Sequence, residues 1–292
     1  MSSDAAQTAT PSGTTSNGDA QQPRVAIVTG ASSGLGQATA RVLAAMPNTS
    51  VVLVARREAR LSSLAESLGS CASFVAVDLL DDDAPAAVLR HVADRFGRVD
   101  LLVNNAGAAW RSSFADGGYA NVAKTMAINF DAQVRLTEAL LPLLRASAPS
   151  AVVNVSSTAA RVSRAGSGAY SASKAALAAW SDALWVEERP YGVHVGLVLP
   201  GFFSTEGFPQ AELTRSGRTR WMVSTPEKVA QAVVRAGFGR AAECYAPRPY
   251  GLAAMIRAVW PGAVRRAMAG SGAAAMNTVT RPDLPDASNP AG

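Results

Sequence analysis

A chain of 292 residues, 48% of them apolar and 17% charged, can bury a sizeable core unaided, and its length suits one large domain or two small ones. Two cysteines, Cys71 and Cys244, and two histidines, His91 and His194, match no metal-ligand spacing and leave little material for a hydrolytic triad, so no metal site is expected and the thiols read as reduced in a cytoplasmic protein. The net charge of +5 arises from interspersed acids and bases without a dense basic block, which argues against a nucleic-acid partner.

Residues 1–22, rich in Ser, Thr, Ala and Gln, lack the basic start and apolar core of a secretory signal and are expected to form a disordered tail. From Arg24 onward, short apolar runs recur at 25–28, 51–54, 74–77, 101–103, 152–155 and 193–199. They are continuous rather than alternating, as strands buried on both faces require. Helical patterns at 37–45, 59–68, 84–96, 121–144 and 171–188 separate them, each long enough for a crossover. This alternation predicts an α/β fold, a doubly wound and mostly parallel Rossmann-like sheet, in a single domain over 23–247.

Beyond it, Leu252, Met255, Ile256, Val259, Trp260, Val264 and Met268 form a helical stripe broken at Pro261-Gly262, which predicts a helical extension over 248–270 whose two short helices pack on the body. Residues 271–292 lose that periodicity and read as a second disordered tail. No apolar run reaches the ~20 residues that span a bilayer.

The first strand runs into Thr29-Gly30-Ala31-Ser32-Ser33-Gly34-Leu35-Gly36 and then a helix. Glycines there let the backbone turn sharply and approach a pyrophosphate, which the positive end of the helix attracts. Nineteen residues past Gly36, the second strand ends in Ala55-Arg56-Arg57. An acid at this position would bind the ribose 2′-hydroxyl of NAD, whereas an arginine accommodates the 2′-phosphate of NADP. Arg56 offers that planar fork and Ala55 no opposing charge, while Arg57 reads as the solvated start of the next helix.

Tyr170 and Lys174 are four residues apart on a predicted helix, so both project from one face. A phenol is a poor proton carrier near neutrality, and a nearby ammonium favours its phenolate; lowering its pKa by two units takes ~2.7 kcal/mol. The strand ending in Ser156-Ser157 places a hydroxyl at the carboxyl edge of the sheet, where ligands of such sheets bind. Ser157 is the candidate to hold a substrate oxygen; Ser156 reads as a loop start bonded to its own backbone.

With these motifs in order, the chain resembles the short-chain dehydrogenase/reductase family, in its compact single-domain form, over nearly all of residues 24–247. The resemblance rests on the TGxxxGxG loop, Asp78 after the third strand, Asn104-Asn105-Ala106-Gly107 after the fourth, Asn129, Ser157, the Tyr170–Lys174 pair, and Pro200-Gly201 after the sixth. It implies NADP(H) as cofactor, held by Gly30, Ser32, Ser33, Gly34, Leu35, Gly36, Arg56, Pro200 and Gly201. It further implies adenine contacts from Asp78 and Leu79, adenosine-side contacts from Asn105, Ala106 and Gly107, and carboxamide contacts from Phe203 and Thr205. Asn129 would complete a proton relay through a helix-bound water, Ser157 would position the carbonyl, Tyr170 would donate or accept the proton, and Lys174 would bind the ribose hydroxyls. Ser33 stands where many NADP-preferring members carry a basic residue, which leaves the cofactor preference on Arg56.

The resemblance also places a substrate lobe at 202–223, where Phe202, Phe203, Phe208, Trp221 and Met222 predict an apolar pocket, with Trp110 and Arg164 at its mouth. The expected partner is a small, apolar carbonyl or alcohol substrate, and the expected assembly a homo-oligomer. Two other readings compete: a catalytically silent NADP sensor or scaffold, which would usually have lost part of the catalytic set, and a nicotinamide-dependent epimerase, whose glycine spacing and large C-terminal substrate domain are missing. In the tail, six arginines against Glu243 between residues 240 and 281 permit a peripheral membrane helix. The preferred reading is that the stripe caps the substrate pocket or a subunit interface, since it is short and Pro261 interrupts it.

Overall fold

In the computed structural model, which describes residues 23–203 and 223–269, seven strands form one parallel sheet in the order β3-β2-β1-β4-β5-β6-β9. The strands are β1 (Arg24–Thr29), β2 (Thr49–Ala55), β3 (Ala72–Ala76), β4 (Leu101–Asn104), β5 (Ser150–Val155), β6 (Val193–Pro200) and β9 (Glu243–Ala246). A small parallel pair, β7 (Phe202–Phe203) and β8 (Val223–Ser224), lies apart. Each expected apolar run became a strand of the sheet because its Val, Ile and Leu side chains meet helices on both faces. Ala26, Val28, Leu53 and Val153 pack toward α1 (Gly34–Ala44), α2 (Glu58–Leu68) and α7 (Pro226–Ala236). Val25, Ile27, Val52 and Val152 turn instead toward α3 (Ala84–Arg95), α5 (Ala132–Ala146) and α6 (Gly168–Glu188). Successive residues of one strand feed opposite cores, the period-two alternation of a pleated strand.

Order reverses between β1 and β4, and the crevice there is where such sheets bind ligands. Besides the β7–β8 pair, strand β9 and helix α7 went unforeseen. Strand β9 carries only Glu-Cys-Tyr-Ala, too short and polar to register as a buried run, and joins the sheet by pairing with β6. Helix α7 did leave a local signal, since Thr225 caps it by accepting from the Lys228 amide and Pro226 occupies its first turn. The single helix expected over 121–144 is interrupted. Helix α4 (Phe114–Met126) passes into a π-turn (Ala127–Asp131) before α5, and that irregular turn carries Asn129.

The tail forms two helices split at Pro261, α8 (Tyr250–Val259) and α9 (Pro261–Ala269). Most of the anticipated stripe does not pack on the body: Leu252, Met255, Val259 and Trp260 are each more than half exposed. Its last member, Met268, does face inward, and with Tyr250 and Ala254 lines a recess against Phe202 and Tyr245. The heptad-like pattern located the helices correctly and misjudged their buried face, because an apolar face need not meet its own chain.

Candidate active site

Thr29, wholly buried at the end of β1, joins the two sides of the crevice. Its hydroxyl donates to the Val103 carbonyl (3.1 Å) and accepts from the backbone amides of Asn105 and Ala106 (2.9 Å each). Asn105 returns a bond from Nδ2 to the Thr29 carbonyl (2.8 Å). The loop leaving Thr29 then turns through Gly30 and Gly34, with φ of 67° and 54°, a backbone that L side chains rarely adopt. Gly36 sits so tightly on this loop that a Cβ there would come within 2.2 Å of the Gly30 carbonyl oxygen. Leu35 and Gly36 are buried in the first turn of α1, leaving the loop and the helix start facing the crevice.

A cavity of about 470 Å³ opens there. Of the anticipated cofactor residues, Gly30, Ser32, Ser33, Gly34, Leu35 and Gly36 bound it on one side, and Arg56, Asp78 and Leu79 at the ends of β2 and β3. Asn105, Ala106 and Gly107 bound it after β4. Sequence reasoning missed Arg57, Leu80, Trp110 and Ile128, which also line it. Arg57 changes the reading most. Its guanidinium donates to the hydroxyls of Ser32 (3.0 Å) and Ser33 (2.8 Å), so it lies across the glycine loop rather than in solvent alone. Arg56 leans the other way, toward Asp78 at 3.5 Å, with its side chain 74% exposed. Successive residues at a strand end point to opposite sides, and only the fold reveals which arginine faces the loop.

The lining suits an elongated anionic dinucleotide: glycine backbone and a helix N-terminus beside two arginines, with apolar walls from Leu79, Ile128 and Trp110. At its inner end, Gly107 leaves room for what lies behind it. A Cβ there would stand 2.6 Å from Asn129 Oδ1 and 3.4 Å from Lys174 Nζ.

Lys174 and Asn129 are buried. Lys174 Nζ donates to the Val155 carbonyl (2.8 Å), and burial pulls its pKa down from 10.5 to about 8. The Asn129 amide clamps Ala108, accepting from its N–H (2.8 Å) and donating to its carbonyl (2.9 Å), and donates to Ser173 Oγ on α6 (3.0 Å). Ser156 is not self-bonded as expected: its hydroxyl donates to the Lys174 carbonyl (2.7 Å), fastening α6 to the end of β5. Below, Asn104, Asn154, Thr137 and Ser181 make a buried polar chain across β4, β5, α5 and α6, with bonds of 2.8 to 2.9 Å. Such a network holds the strand ends and α6 in one register.

Tyr170 stands one helical turn before Lys174 and lines a cavity with Ser157. Burial pushes the phenol above its usual range, while the nearby Ser157 hydroxyl and the charges of Arg164 and Arg111 pull it back. Arg164 and Arg111 are thus cations that act on the phenol and that sequence spacing, which nominated Lys174, did not foresee. A second cavity of about 150 Å³ is bounded by Ser157, Tyr170, Gly201 and Phe202, together with Arg111 and Arg164. Pro200 ends β6, and the Gly201 amide donates to the Ala246 carbonyl (2.8 Å); a side chain at Gly201 would strike the Tyr250 ring. Phe203 ends the described stretch with only its backbone placed, and Thr205, Phe208, Trp221 and Met222 lie outside the described residues. Trp110, expected at the substrate mouth, lines the larger cavity with Lys124 stacked 4.9 Å from its ring.

The profile of the family described as short chain dehydrogenase matches residues 24–215. The chain is 35% identical over 231 residues to dehydrogenase/reductase SDR family member 7B of Xenopus laevis, spanning 74% of this chain and 71% of that protein. It is 33% identical over 216 residues to ketoacyl reductase HetN of a Nostoc species, over 73% and 75% of the two chains. The crystal structure of a short-chain dehydrogenase from Streptomyces avermitilis superposes with a TM-score of 0.68 at 30% identity, covering 84% of this chain and 98% of that one.

Proposed function

The chain belongs to the short chain dehydrogenase family, and from that premise we propose that it is an NADP(H)-dependent oxidoreductase acting on the carbonyl or secondary alcohol of a small substrate. The observation that carries this reading is the seat of Tyr170, which lines the smaller cavity with Ser157 while Lys174 lies behind Gly107 at the inner end of the larger. When bound, the nicotinamide supplies or accepts the hydride. Glycine-loop backbone and the start of α1 hold its pyrophosphate, and Arg57, with Arg56, takes the 2′-phosphate. Lys174, with Val155 occupying one of its protons, directs the others toward the ribose. The Ser157 hydroxyl holds the substrate oxygen, and Tyr170 gives that oxygen its proton in reduction or removes it in oxidation. Asn129 keeps the Ala108 backbone and α6 fixed around this centre. The ketoacyl reductase name of one relative supports a keto substrate with an apolar body.

A phenol raised by burial stays protonated through neutrality, the state reduction needs. The test is a panel of carbonyls and alcohols with NADPH and NADH, for wild type and Tyr170→Phe. We expect NADPH-dependent reduction, with Tyr170→Phe keeping cofactor affinity and losing about 10²- to 10⁴-fold in kcat. Near-wild-type turnover by the variant refutes Tyr170 as the proton donor. The exposed stripe on α8 is short and Pro261 interrupts it, which favours a homo-oligomer over a membrane helix; sedimentation with and without anionic vesicles at low salt separates them, and vesicle binding overturns the choice.

A further inference from the structure

The recess beneath the C-terminal helices adjoins the reaction site. Thr158, Ala159, Arg164 and Phe202 bound both this recess and the cavity that holds Tyr170 and Ser157, and each space measures about 150 Å³. The far wall comes from α8 and α9. Tyr250 and Ala254, four residues apart, share one face of α8, and Met268 is brought back by α9 after the break at Pro261. The start of α8 is seated on the site itself. A Cβ at Gly201, which bounds the Tyr170 cavity, would come within 2.6 Å of the Tyr250 ring, and one at Gly251 would stand 3.2 Å from the ring of Tyr245 on β9. The two glycines thus let the helix lie close against the strand ends that carry the site.

The wall is largely apolar, with Ala159, Val162, Phe202, Ala254 and Met268 beside Tyr245 and Tyr250. The charge of Arg161 is met by Glu243 at 3.2 Å, and the Arg164 guanidinium lies over the Phe202 ring, 4.6 Å from its centroid. A hydrocarbon chain that leaves water for such a wall gains free energy with each carbon it buries. We propose that the two spaces form one elongated site, in which α8 and α9 select a substrate with a hydrocarbon chain. Its carbonyl reaches Ser157 and Tyr170, the chain passes along Ala159, whose side chain is small, and Phe202, and its end lies against Ala254 and Met268. This names the substrate class of the oxidoreductase reading and rests on that reading for where the carbonyl sits.

The test is the kinetics of straight-chain aldehydes, from propanal to decanal, with NADPH. In the wild type, kcat/KM should rise about fourfold for each CH₂ that enters the recess, the equivalent of ~0.8 kcal/mol, and level off once the recess is full. Ala254→Phe fills the recess from α8 and should lower the ratio of kcat/KM for decanal to that for propanal by about tenfold or more. Met268→Ala enlarges the recess and should move the plateau to longer chains. Misfolding does not shift chain-length preference in opposite directions, so the pair of variants guards against it. Reduction with no dependence on chain length, or a preference that neither variant moves, overturns the proposal and leaves the oxidoreductase reading intact. If wild type reduces no aldehyde, calorimetric titration of butanol, hexanol and octanol into NADP⁺-saturated protein decides. Affinity that grows with chain length and that Ala254→Phe removes keeps the chain site while the oxidoreductase reading fails for these carbonyls; affinity independent of length, or indifferent to the variant, overturns the chain site.

Discussion

Lys174→Met should stabilise the cofactor-free protein at neutral pH while removing its activity. The lysine is 4% exposed and its Nζ donates to the Val155 carbonyl, so its charge is held where water cannot solvate it. The fall from 10.5 to about 8 corresponds to a cost of about 3 kcal/mol at ~1.4 kcal/mol per pH unit. Methionine fills similar volume without charge but leaves the Val155 carbonyl bare, which returns about 1 kcal/mol or more. A net gain of about 1–2 kcal/mol at pH 7 follows.

The pH dependence carries the sharper signature. Below pH 8 the side chain is protonated in both folded and unfolded chains and the penalty is complete. Between about 8 and 10.5 the unfolded chain binds more protons than the folded one, so wild-type stability rises with pH through that window relative to the variant. Urea unfolding of both proteins without cofactor at pH 7 and 9.5 should show the variant's advantage shrinking by about 2 kcal/mol. Taking the difference between the proteins cancels the other titrating groups. A variant less stable than wild type at pH 7, or an advantage equal at both pH values, would refute the assignment of a desolvated, charged lysine.

Arg57→Ala should weaken NADPH by tenfold or more and leave NADH affinity nearly unchanged, as about 1.5–3 kcal/mol for a charge-assisted bond implies; equal losses for both cofactors in fluorescence titrations would detach it from the 2′-phosphate. Thr29→Val keeps the volume but strips the acceptor from the Asn105 and Ala106 amides, and should cost about 2–4 kcal/mol in urea unfolding together with weaker cofactor binding. An unchanged midpoint would mean that the crevice does not depend on that hydroxyl.

The amino-acid sequence by itself determined the parallel sheet, the glycine turn after β1, the helix that puts Tyr170 and Lys174 one turn apart, and the family. These rest on signals local to the chain: uninterrupted Val, Ile and Leu runs that only two-sided burial explains, a turn that needs positive φ, and a four-residue helical spacing. Tertiary structure alone decided the rest. It showed that Arg57 rather than Arg56 lies on the glycine loop, because side-chain direction alternates at a strand end. It showed too that Arg111 and Arg164 lie near Tyr170, on two loops joined by a hydrogen bond that no periodicity records. The stripe of α8 likewise proved exposed, since an amphipathic pattern specifies that a helix has an apolar face but not what covers it. Chain neighbours set secondary structure through backbone sterics and the burial period, whereas pocket charge depends on which distant loops converge, and that is a property of the packed fold.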